Sequence, residues 1–351
     1  MRWFGRVLIA MMVLAAAAAA YYWLVIRPHH AVAPVAAPSA KPSASPAVRT
    51  ITDPLRPDAP IEPDDARPEP PGDWSKARPG FQSSLSSAQR GGVEPCAPQP
   101  FDSSGFEAAQ PRGRGRLHVP RDFSVDDQGQ FDLIVHLHGD EPVLRELIES
   151  GQKLPMLTIT LGPSEGYAPL FSSPDLYRAV ITDVEQALTQ RGGRPARARR
   201  VAFSAWSAGF VGVAAAISQK TSSQIDAVIL IDGLHAPRRD RAMFEAQLEP
   251  FVKFARRAVS EQSFMFISHS SIDPPDFAST TECAHYLLAT LGERPRPVHR
   301  SERFGLELIE YFSRGNLNVR GYAGNDKADH CAQIAILRDV YRALGQRWAR
   351  P

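Results

Sequence analysis

From about Arg112 onward the chain carries short segments that are apolar at consecutive positions, not at alternating ones. FDLIVHLH (Phe131–His138), MLTITL (Met156–Leu161), IDAVILI (Ile225–Ile231) and FMFIS (Phe264–Ser268) are the clearest. A strand with apolar side chains on both faces belongs in a sheet that is covered on both sides, which is the habit of parallel sheets. Between these runs lie segments with helical spacing, such as Leu176, Val180, Val184 and Leu188 in LYRAVITDVEQALT. The alternation predicts an α/β fold: a mostly parallel central sheet with helices on both faces. Further strands are expected at Arg116–Val119, in the run ending near Ser204, and at Leu317–Tyr322. Helices are expected at Val143–Glu149, from Phe210, at Met243–Val259 and at Ala332–Trp348. In such sheets ligands sit at the carboxyl ends of the strands, and the polar residues of interest cluster there.

The amino-terminal third has a different character. Arg2 and Arg6 precede Val7–Ile26, an uncharged run of 20 residues. At ~1.5 Å per helical residue this run spans roughly 30 Å, one hydrocarbon core. Tyr21, Tyr22 and Trp23 lie near its far end, where amphipathic rings favour the membrane interface. Residues 1–27 are therefore expected to form a signal anchor or transmembrane helix, with the remainder outside the cytoplasm. A cleaved signal peptide is the alternative reading, but the apolar run continues through Leu24, Val25 and Ile26, past the alanine stretch. Residues 28–111 read as a linker: Ala-Pro and Ser-Pro repeats come first, then an acidic stretch around Asp53–Asp73. So few large apolar side chains cannot offset the entropy of ordering. The folded domain is expected at 112–351. The formal net charge is +2, and no basic block with interleaved aromatics occurs, so nucleic acid is not an expected partner.

One stretch, VAFSAWSAGFVG (Val201–Gly212), places Ser207 between a strand and a helix, with small residues at Ala205, Ala208 and Gly209. A serine in such a corner is forced into an awkward backbone conformation that lifts its hydroxyl above the sheet, and only small neighbours fit. The stretch resembles the nucleophile elbow of the α/β-hydrolase family, G-x-S-x-G, with Ala205 in place of the first glycine. The resemblance extends over about Arg112–Arg350 through motif order and strand pattern.

Several expectations follow from that resemblance. Ser207 is the nucleophile. His330, before the final helix, is the base that takes its proton. The acid is Asp273, beyond the FMFIS strand, with Asp232 at the end of IDAVILID as the alternative. The HGD turn after FDLIVHLH, His138-Gly139-Asp140, is similar to the family's oxyanion turn. A backbone N–H of Gly139 or Asp140 would join that of Ala208 to hold the oxyanion. His138, Trp206, His235 and His269 are candidates for the substrate pocket. His136 and His138 stand two apart on one strand, the spacing of a metal pair, but no further ligand has a supporting pattern, and neither metal nor cofactor is expected. Cys283 and Cys331 are expected to pair, because in this family the loops carrying acid and base converge; two reduced thiols are the alternative, and Cys96, the third cysteine, could pair with either.

The function implied is a membrane-anchored serine hydrolase acting on small or polymeric esters. Gly233–Ser263 is too short for a large lid, which suits an open site. A non-catalytic binding or scaffolding protein of the same fold, or a peptidase, are the alternatives.

Overall fold

The computed structural model describes residues 99–349 apart from 163, 220, 221 and 325. The expected anchor at 1–27 and most of the linker at 28–111 lie outside the described residues. Among the described residues no helix is long and apolar enough to cross a membrane.

The chain enters through β1 (Gln110–Arg112), β2 (Gly115–His118) and β3 (Gln130–Leu137), then α1 (Glu141–Glu149), β4 (Met156–Ile159) and α2 (Pro174–Gly192). Next come β5 (Arg197–Trp206), α3 (Phe210–Ile217), β6 (Ile225–Ile231), the two-residue β7 (Ala236–Pro237) and α4 (Arg241–Val259). The remainder is β8 (Phe264–Ser270), β9 (Phe277–Ala278), α5 (Thr280–Thr290), β10 (Arg296–Ser301), β11 (Glu307–Arg314), β12 (Leu317–Ala323), α6 (Lys327–Ala332) and α7 (Leu337–Trp348).

Ten strands form one sheet in the order β1-β2-β4-β3-β5-β6-β8-β12-β11-β10, and β7 pairs separately with β9. From β4 through β12 every neighbouring pair is parallel, while β1, β2, β10 and β11 add antiparallel edges. The consecutive apolar positions serve two cores. Leu133, Val135 and Leu137 of β3 and Val228 and Leu230 of β6 pack in one cluster with Ile181, Val213, Phe244 and Leu287 from α2, α3, α4 and α5. Their neighbours Ile134, Ala227, Ile229 and Ile231 face the other way, against Val143 and Leu147 of α1 and Leu337, Val340 and Leu344 of α7. Period-two alternation thus feeds both faces, and the runs read as unbroken.

From β3 the chain moves outward to β4, then returns to the other side of β3 to form β5. This reversal opens a crevice at the carboxyl ends of β3 and β5. His138-Gly139 follows β3 and Ser207 follows β5, so the sheet itself brings these two turns together.

Two features were not read from the pattern. The packed chain begins before Arg112: Phe106 is buried and bridges to Pro120, and β1 starts at Gln110. At the other edge, β10 and β11 form an antiparallel extension. β10 (RPVHRS) is largely exposed, and its polar sequence carries no buried face to betray it.

Candidate active site

The β5–α3 corner sets the position of Ser207. Ser207 has φ +51°, left-handed for a residue with a side chain, directly after the extended Trp206. Conformations of this kind persist only where the surroundings enforce them. Here the enforcement is steric. A Cβ on Gly209 would lie 2.2 Å from the Leu137 carbonyl oxygen, so only glycine lets the start of α3 close against the end of β3. A Cβ on Gly233 would lie 2.6 Å from the Ser207 oxygen and 2.9 Å from its nitrogen. Gly233 is therefore the floor on which the corner rests. Ala205 is buried within β5, between Leu137 of β3 and Leu230 of β6.

His330 sits on the short α6, which Asp326 caps by accepting the Asp329 N–H at 2.9 Å. His330 Nδ1 lies 2.7 Å from Asp232 Oδ2. Thr280 donates its hydroxyl to the other oxygen, Oδ1, at 2.7 Å, so both carboxylate oxygens are held. Asp232 is itself fixed by its N–H, which donates to the Ser268 carbonyl at 3.1 Å, and it has φ +41°. Burial pushes the Asp232 carboxyl up, but the hydrogen bond and positive charge of His330, together with Thr280, outweigh it and hold the group below its ordinary value. With Nδ1–H directed at Asp232, the other imidazole nitrogen is left as the proton acceptor.

This corrects the expected acid. Asp273 does not approach His330; its side chain is exposed and pairs with Arg238. After β8 the chain runs through Ser271–Pro275 toward Arg238, whereas Asp232 follows β6 directly and meets His330.

Trp206 holds His330 from a second side. Its ring stacks on the imidazole with centroids 4.8 Å apart and 29° between planes, and its Nε1–H donates to the His330 carbonyl at 3.2 Å. His138 also stacks on the indole, 5.2 Å away at 29°. His138 (φ +72°) turns out of the strand and bonds through Nδ1 to the Tyr167 hydroxyl at 2.8 Å. Burial, and then the nearby charge of His330, lower its pKa and favour the neutral ring.

His136 stays in the strand and is fully buried. It bonds to the Ser204 hydroxyl through Nδ1 at 2.8 Å and to the His138 carbonyl through Nε2 at 2.9 Å. Burial drives its pKa down to about 3. A neutral His136 therefore braces the turn, and the two histidines spaced for a metal pair point to different partners.

The turn after β3 is also braced. The Asp140 side chain is turned away to Arg116 at 3.0 Å, His118 at 3.1 Å and Thr158 at 2.7 Å. These partners hold its carboxyl near a pKa of about 2 despite burial, which pushes it up. The Gly139 N–H donates to the Thr160 hydroxyl at 3.2 Å.

Ser207, Asp232 and His330 open onto one pocket of ≈380 Å³. His235, Ile272, Pro274 and Phe277 contribute to its lining, with Asp326 and Lys327 also on its wall. His235 donates from Nδ1 to the Ala278 carbonyl at 3.1 Å, and burial lowers its pKa. Of the four residues expected in the pocket, His235 is there, while His138 and Trp206 form the stack against His330. His269 is not: it faces Thr281 and Glu310 across the sheet. The expected Cys283–Cys331 bridge is likewise absent. Cys283 is a buried free thiol, and Cys331 is disulfide-bonded to another partner. Cys283, on α5, is buried among apolar side chains of the larger core, while Cys331 lies on α6.

No family model matches the sequence, and no curated protein does. Solved structures with a similar course include a feruloyl esterase module from Clostridium thermocellum in complex with sinapinate. It is 11% identical, with TM-score 0.39, over 72% of this chain and 90% of that one. A carboxyl esterase from the fungus Tuber melanosporum is 14% identical, with TM-score 0.36, over 70% and 88%. The enterobactin esterase of Shigella flexneri is 13% identical, with TM-score 0.42, over 77% and 63%. The order of the parallel strands, the left-handed serine corner after β5 and the turn after β3 are together those of the α/β-hydrolase fold.

Proposed function

We propose that this chain is a serine ester hydrolase. The observation that carries the reading is the meeting, in one pocket, of a sterically enforced left-handed serine and a histidine whose Nδ1 is bonded to a buried carboxylate. In this reading Ser207 Oγ attacks the ester carbonyl as its proton passes to His330. The resulting imidazolium is stabilised by Asp232, which stays ionised. The tetrahedral oxyanion is held by the backbone N–H groups of Ala208 and Asp140, the Gly139 N–H being committed to Thr160. His330 then returns the proton to the departing alcohol, leaving an acyl group on Ser207. Water, deprotonated by His330, releases the acid and restores the serine.

The apolar wall of Ile272, Pro274 and Phe277 suits the hydrocarbon part of an ester, and the open pocket suits entry without a lid. The proposed plan is an anchor at 1–27, a linker behind it and a hydrolase domain that is already packed at Phe106 and β1, held on the outer side of a membrane.

The test is hydrolysis of p-nitrophenyl esters of graded acyl length, with matched anilides alongside. The expected result is turnover of esters above the anilides and its loss in Ser207→Ala. Ester turnover unchanged in Ser207→Ala contradicts the reading.

A further inference from the structure

A second polar cluster lies on the same sheet, outside the pocket. In the sheet register His269 of β8 pairs with Gly321 of β12, and Gly321 pairs with Glu310 of β11. These three positions form one row across the sheet, on the face covered by α5. The middle position has no side chain, and its emptiness is what brings the outer two together. A Cβ on Gly321 would lie 2.4 Å from His269 Cε1 and 2.6 Å from Glu310 Cγ. From above, α5 lowers His285 onto the row, with Nε2 2.6 Å from Glu310 Oε1. The three donor atoms, one from each residue, lie within 4.8 Å of one another.

The hydrogen-bond network fixes what His269 presents. The Thr281 hydroxyl donates to the Ser270 carbonyl at 2.8 Å, so its oxygen can only accept from His269 Nδ1, 2.9 Å away. In the neutral ring Nε2 then carries a lone pair. That nitrogen is buried, lies 3.1 Å from Glu310 Oε1 and has no other partner among the described residues. A buried lone pair facing a carboxylate is unfavourable unless a positive charge stands between them. The side chains of His285 and Glu310 are 18% and 17% exposed, which leaves an approach from solvent.

We propose that His269, Glu310 and His285 bind a divalent transition-metal ion, with Zn²⁺ the best match to two imidazoles and one carboxylate. Donors at ~2.1 Å around such an ion stand roughly 3.3 Å apart, so both imidazoles, now 2.6 and 3.1 Å from Glu310 Oε1, have to move slightly away from the carboxylate to admit it. The open position faces solvent. Thr281, bonded to the non-ligating nitrogen of His269, is the outer partner that orients the ring. The ion would join β8, β11 and α5. Ser270 and Thr280, the residues next to His269 and Thr281, both line the catalytic pocket, and Thr280 also holds Asp232. The site is thus placed to stiffen the wall of the pocket without taking part in its chemistry.

The test uses full-length protein stripped with chelator and titrated with Zn²⁺ alone or Co²⁺ alone. The expected result is one equivalent bound per chain, a Tm that rises with metal concentration, and visible Co²⁺ bands of a low-coordinate nitrogen–oxygen site. His285→Ala and Glu310→Gln should abolish the bands. Thr281→Val should weaken affinity by about 10–100-fold. No saturable binding by the folded wild type overturns the proposal and assigns the cluster to a shared proton. So does binding that survives in both His285→Ala and Glu310→Gln. Neither result bears on ester turnover, so this inference and the proposed activity fail separately.

Discussion

At the scale of single residues, the choice between two aspartates is decided by where each strand ends. Asp232 is the first residue beyond β6 and is tied to β8 through its own N–H, so its carboxylate is delivered to His330. Asp273 stands three residues beyond β8, in an exposed turn, where Arg238 holds it. Spacing alone did not separate them, because both follow a parallel strand; the difference lies in the three-dimensional direction of the turn. Asp232→Asn is expected to lower kcat by about 10⁴-fold while leaving Tm within a few degrees, since the imidazole would lose the partner that selects its tautomer. Asp273→Asn should leave kcat within about twofold, as expected for a surface ion pair. Steady-state rates on one ester decide the matter, and the reverse pattern would return the acid to Asp273. The places of Ser207, His330 and the HGD turn in the fold were legible in the sequence because each is local: a residue type at a defined end of a strand or helix. The partners that orient them were not. Tyr167, Thr280 and Gly233 act through contacts with residues far along the chain, and nothing in their neighbourhood marks them.

At the scale of elements, the serine corner is a product of two glycines from different places. Gly209 belongs to the motif and was visible as part of it. Gly233 begins the turn after β6 and is revealed only by the closeness of its backbone to Ser207. Gly233→Ala is expected to cost about 1–3 kcal/mol through overpacking, and to push the Ser207 backbone out of place. Gly192→Ala is the control, since a Cβ there meets nothing within 4 Å. Thermal melts and ester turnover should fall together for Gly233→Ala and stay near wild type for Gly192→Ala. Full turnover in Gly233→Ala would mean the corner does not rest on that glycine. The central strands were readable because both faces are buried and their runs are unbroken. The β10–β11 edge was not, because an exposed strand with charged residues carries no such run. The His269–Glu310–His285 cluster is equally unmarked in the sequence, since Glu310 comes from β11 and the row needs its register.

At the scale of the whole molecule, the fold class, the helices on both faces and the placement of chemistry at the strand ends follow from hydrophobic patterning. The cysteine pairing did not, because it depends on which layers the cysteines occupy. Cys283 is buried in the helical layer of the larger core. The proposed tether rests on sequence alone and has its own check. Full-length protein should fractionate with membranes, and deletion of residues 1–27 should release it; equal solubility of both forms would contradict the anchor. The central claim is that Ser207, activated by His330 and Asp232, is acylated during turnover. Its most direct test is reaction of the protein with a fluorophosphonate, followed by intact-mass analysis and peptide mapping. The account predicts a single adduct per chain, located on Ser207 and missing in Ser207→Ala. An adduct on another residue, or equal labelling of wild type and Ser207→Ala, would contradict it.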